Sequence, residues 1–156
     1  MAKFWLALAL TGLVGCAPEE PLDGFLWDVE LSVLEDGCLP AASADYTEQL
    51  PYRLVFDGSY VDLAIGPDLF ATGAISGCEI AYDSVVWGQN IDGYTVRWSL
   101  AGEATYRPGG DACNLSAGTD WLGTETFTIL SSDHPDIAPG CELVLHAQGA
   151  YAGEAH

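Results

Sequence analysis

Asp133, His134 and Asp136 stand within four residues of one another. An imidazole flanked by two carboxylates suits acid–base chemistry or a metal ligand set. The plainer reading is a polar connection before the last strand. His146 sits beside Gln148 on a polar strand face and reads as an exposed residue, and His156 is the last residue of the sequence. Glu125 breaks a pattern. Alternation places it with Trp121, Gly123, Phe127 and Ile129, while Thr124, Thr126 and Thr128 face the other way. An acid among apolar side chains is costly unless it is paired or solvated. It needs an arginine, a wet cavity, a ligand cation or an open face. The sequence has no G-x-S-x-G, S-x-x-K, H-E-x-x-H or G-x-x-x-x-G-K motif, and no segment with the spaced acids of a calcium loop. No catalytic residue, metal or cofactor is therefore expected.

The chain has 156 residues, with 23 Asp plus Glu against 4 Lys plus Arg. Its net charge of −19 repels a phosphate backbone, which argues against nucleic acid as a partner. Aromatics at 11% and hydrophobics at 49% argue against a disordered acidic chain. The acids are scattered along the whole sequence, as general solvation requires. Depletion of lysine with many acids also resembles proteins from salty habitats, and a surface that gathers cations or basic partners is the functional alternative.

Lys3 precedes the apolar run Phe4 to Val14, too short to span a bilayer but laid out as an export signal. The run ends in Leu13-Val14-Gly15-Cys16, which resembles the lipobox of bacterial lipoproteins. The resemblance covers about a tenth of the chain. It implies cleavage before Cys16 and acylation of that residue, including a palmitate-type chain. More than one acyl chain would hold the protein on a membrane stably. Residue +2 is Ala17 rather than Asp, which in this family leans towards the outer membrane. The expected organisation is a signal peptide over 1–15, a lipidated N-terminus and tether over 16–23, and one β domain over 24–156. Loss of Lys3 leaves Arg53, Arg97 and Arg107 against the 23 acids, a side-chain charge of −20.

Four further cysteines, Cys38, Cys78, Cys113 and Cys141, suggest two disulfides in an exported chain. A zinc site would show a close pair, and none of these is near another. The elements around them read as strands. Phe25, Trp27, Val29, Leu31 and Val33 share one face, and Tyr94, Val96, Trp98, Leu100 and Tyr106 share another. The alternation predicts eight strands: 25–34, 52–56, 60–65, 69–75, 79–87, 94–106, 121–130 and 143–151. Turn signals Asp57-Gly58, Gly66-Pro67, Ser76-Gly77, Asp92-Gly93 and Pro108-Gly109-Gly110 separate them. Only Ala41 to Gln49 suits a turn or two of helix. Short turns favour an up-and-down antiparallel barrel over a two-sheet sandwich, the second choice. Strand parity then puts Cys38 and Cys141 at one end and Cys78 and Cys113 at the other, so the pairs expected are Cys38–Cys141 and Cys78–Cys113. Gly24-Phe25-Leu26-Trp27 resembles the Gly-x-Trp opening of lipocalins, with one residue more in the spacing.

The expected function is a non-enzymatic structural or binding role on the cell envelope, with the membrane as partner through the lipid and any protein partner left open by the sequence. One alternative is a carrier of a small apolar ligand, lined by Trp27, Trp98, Tyr94, Tyr106 and Glu125, with Gly102, Ala104, Ala147 and Gly149 leaving room. A carboxylate-based hydrolase is the other; it requires two acids converging in one cleft.

Overall fold

Alternating side chains become nine strands in the computed structural model, which describes residues 24–39, 45–107, 113 and 115–155. The strands are β1 (Gly24–Asp36), β2 (Thr47–Asp57), β3 (Tyr60–Ile65), β4 (Asp68–Ser76), β5 (Glu79–Ser84), β6 (Trp87–Ile91), β7 (Tyr94–Tyr106), β8 (Trp121–Ser132) and β9 (Glu142–Ala155). Hydrogen-bonded neighbours run β5-β4-β3-β2-β1-β9-β8-β7-β6, and β5 also pairs with β7. That last pairing closes the sheet. The fold is an all-β, antiparallel, up-and-down barrel of eight strands with β6 in addition, consistent with a lipocalin-like barrel. The leader, Cys16 and its tether, the Pro108-Gly109-Gly110 turn and His156 lie outside the described residues.

Two sequence expectations need correction. Of the segment expected to hold a helical turn, residues 41–44 lie outside the described residues, and from Thr47, whose partner is Ser32, the chain is strand. β1 runs to Asp36, and its upper backbone would be unpaired if β2 began at Tyr52. The expected strand 79–87 is instead two strands. Asp83 pairs with Ala101 and Trp87 with Trp98, so β5–β6 spends one residue more than β7 across the break. Ser84 carries that break: its Oγ accepts the Leu100 N–H and donates to the Val85 carbonyl, both at 2.8 Å. A side chain thus replaces one rung of the ladder, as at a bulge.

Two-residue turns join β2–β3, β3–β4, β4–β5 and β6–β7. Asp92 and Gly93 both have positive φ, the backbone of a type I′ hairpin whose twist suits the flanking strands. The end of the barrel holding Gly24 is called the base below, and the opposite end the rim. Cys38–Cys141 ties the β1–β2 and β8–β9 connections at the rim, with Cα atoms 5.2 Å apart. Cys78–Cys113 ties the β4–β5 turn to the β7–β8 connection at the base, at 5.8 Å. These are the pairs that parity predicts.

Inward residues form one core. Trp27, Val29, Tyr52, Leu54, Leu63, Trp121, Leu145 and Ala147 have no exposed surface. At the base, Arg107 donates from Nε to Asp120 Oδ1 at 2.9 Å and from Nη2 to the Thr119 carbonyl. Asp120 Oδ2 accepts the Tyr151 N–H at 3.0 Å, so the β7–β8 connection is latched to β9.

Candidate functional site

The unusual chemistry of the interior is at Glu125. This β8 residue is fully buried, so the alternative of an open face is set aside. Its Oε1 accepts two hydroxyls, Tyr52 Oη from β2 at 2.7 Å and Tyr82 Oη from β5 at 2.6 Å. The three side chains bridge separate walls of the barrel. Tyr82 reaches Glu125 across β7: its partner there is Gly102, which in turn faces Glu125. Glycine suits position 102 because a Cβ there would overlap the Tyr82 ring.

Among the described residues, the buried Glu125 Oε2 and Trp121 Nε1 have no hydrogen-bond partner. Trp121 packs edge-on to Tyr52 at 5.7 Å and against Tyr82 at 6.1 Å. Burial raises the Glu125 pKa, and the two tyrosine hydroxyls only partly offset this by favouring the charged form. Burial and the nearby carboxyl push both tyrosines well above their ordinary value, so they stay protonated as donors. A carboxyl that accepts two phenol hydroxyls from separate strands is a polar cross-brace.

Of the residues expected to line a ligand cavity, Trp27 and Tyr106 meet, with ring centroids 6.1 Å apart. Trp27 also packs on Trp121 and donates from Nε1 to the Arg107 carbonyl at 3.3 Å. Trp98 lies in a second aromatic group near the rim, against Phe127, Phe70 and Trp87. Tyr94 corrects the expectation: it is 39% exposed and its ring rests on His134. It follows the β6–β7 turn, beyond the last layer of the core. The space assigned to Gly102 is filled by Tyr82, and a Cβ at Gly149 would crowd Val29.

His134 Nδ1 accepts the Asp136 N–H at 3.1 Å, so the imidazole closes a local turn. Among the described residues no group of three His, Cys, Asp or Glu could hold a metal ion. His146 helps line an open groove of about 640 Å³ on the outer wall, with Glu79, Glu103, Leu122, Thr124 and the small Ala74 and Ala81.

Glu125 is marked in the sequence as an acid on an apolar face, whereas Tyr52 and Tyr82 are not marked as its company. Parity puts Tyr52 on the same face as Leu54 and Tyr82 on that of Ile80, which was the available signal. Phe70 and Trp87, which stack at 6.2 Å, are likewise unmarked. No family model, curated protein or solved structure matches the chain.

Proposed function

We propose that the protein is a lipid-anchored, non-enzymatic envelope protein whose barrel binds through its outer surface. One observation carries the reading: the interior is occupied by the protein's own side chains. Trp27, Tyr52, Tyr82, Trp121 and Glu125 are at most 1% exposed, and they pack on or hydrogen-bond to one another. Glu125 meets two hydroxyls rather than a second carboxylate, which weighs against the hydrolase alternative. Closure and two disulfides give a stiff scaffold, and paired cysteines suit an oxidising compartment. Acylation at Cys16 would place the base nearest the membrane, because Gly24 enters there. The test is titration with a fluorescent fatty-acid analogue. The reading expects tryptophan emission to stay unchanged; saturable quenching at equimolar probe would favour a carrier.

The carrier is the second reading, and one feature favours it. Near the rim, among the described residues, the Phe70 and Trp87 rings rather than backbone pairing bridge β4 and β6, a gap in the wall through which an apolar ligand would enter.

A further inference from the structure

β6 is an edge strand in an otherwise closed barrel. Among the described residues β6 pairs in the sheet with β7 alone, while β4 pairs with β5 only from Ala71 onwards. Between Asp68–Phe70 of β4 and β6 no backbone pairing exists among the described residues. The tight Asp92-Gly93 turn makes Ile91 and Tyr94 a hydrogen-bonded pair, so the ladder alternates from there. The N–H and C=O groups of Gly88 and Asn90 therefore point away from β7. Both residues are exposed, and a Cβ added at Gly88 would meet no atom within 4 Å. Large apolar side chains border the gap: Leu69 is 49% exposed, Val85 64% and Val86 49%.

We infer that this edge accepts an extended, cationic segment of a partner protein as an added strand. A strand edge offers donors and acceptors at strand spacing, which another strand matches along its length. The apolar border supplies contacts for alternate side chains of such a segment. Charge selects its sign: exposed Asp68, Asp83 and Asp92 flank the gap against Arg97 alone, on a chain with 23 acids and 4 basic residues. Position also fits. The edge is in the rim half of the barrel, opposite Gly24, so an anchor at the base leaves it facing away from the membrane. A second copy pairing antiparallel through β6 would turn its base the other way, off a shared membrane. The inference rests on the outer-surface reading above and gives it a place and a partner chemistry.

The test is amide hydrogen exchange with a synthetic peptide of alternating Lys and Val. Binding should slow exchange at Gly88 and Asn90 selectively. Gly88→Pro removes an outward N–H and no rung to β7, and it should weaken binding about tenfold, the worth of a lost hydrogen bond. A peptide of alternating Glu and Val should not bind. Unchanged binding to Gly88→Pro, or equal binding of the acidic peptide, would overturn the inference. So would protection of Gly88 and Asn90 that grows with protein concentration alone, which would mean a second copy. The wild-type exchange pattern decides the matter even if the proline variant fails to fold. Peptide bound in the Glu79–Glu103 groove, with β6 unprotected, defeats the edge and leaves the outer-surface reading standing. Absence of peptide binding with quenching of tryptophan by the fatty-acid analogue defeats both.

Discussion

The ring of Tyr82 occupies the space that a side chain at Gly102 would need. The glycine is thus half of a contact: it lets a residue of β5 cross β7 and reach a carboxyl on β8. Removing the space and removing the ring should be coupled changes.

Gly102→Ala should destabilise the barrel by about 1–3 kcal/mol, the usual cost of overpacking. Tyr82→Leu should also destabilise it, because a buried acid loses a donor. In the double variant the costs should be clearly sub-additive, since the smaller side chain relieves the overlap. Denaturant titration of the four proteins gives the answer, and strict additivity would contradict the contact.

Glu125 and Asp120 should give opposite pH responses. Burial raises the Glu125 pKa. As pH rises through the ordinary glutamate range, the unfolded chain loses its proton while the fold retains it, so Glu125 makes stability fall with pH. Glu125→Gln should remove that decline. Asp120 is held low, chiefly by the Tyr151 N–H and then by Arg107. Its contribution is full above the ordinary aspartate range and is lost as pH falls through it to the lowered value, so Asp120→Asn should lessen acid lability. Melting temperatures from about pH 3 to 8 would show both slopes. A wild-type-like decline in Glu125→Gln would mean that another group carries it.

Trp27 and Tyr94 should differ sharply. Trp27 is fully buried among rings, and truncation to Ala should cost roughly 3–5 kcal/mol. Tyr94→Ala should cost less than about 1 kcal/mol, as for most surface positions. Equal losses on denaturation would contradict the assignment of faces.

The disulfides should each stabilise the barrel by roughly 4 kcal/mol in the chain-entropy account. Cys38–Cys141 spans 103 residues and Cys78–Cys113 spans 35, so loss of the first should cost slightly more. Paired Cys→Ser variants compared by denaturation would show it, and a larger loss at the shorter loop would point to residual structure in the unfolded chain.

Much of this architecture was legible because a closed meander leaves its marks locally. Period-two alternation gives faces, glycine-bearing turns give strand ends, and parity fixes which cysteines share an end. The break at Ser84 was not legible, since alternation runs through it and a side-chain hydrogen bond makes it. Tyr94 shares the inward alternation yet is exposed, because alternation does not say where the core stops. Glu125 stood out as an acid on an apolar face. Its partners lie 73 and 43 residues away, and only barrel closure brings Tyr52 and Tyr82 to one oxygen.

The most direct test of the account is native mass spectrometry of the protein purified from its own membranes. The predicted mass is that of a chain beginning at an acylated Cys16, with two disulfides and no interior ligand. A chain retaining residues 1–15, or one carrying a stoichiometric apolar molecule, would contradict it.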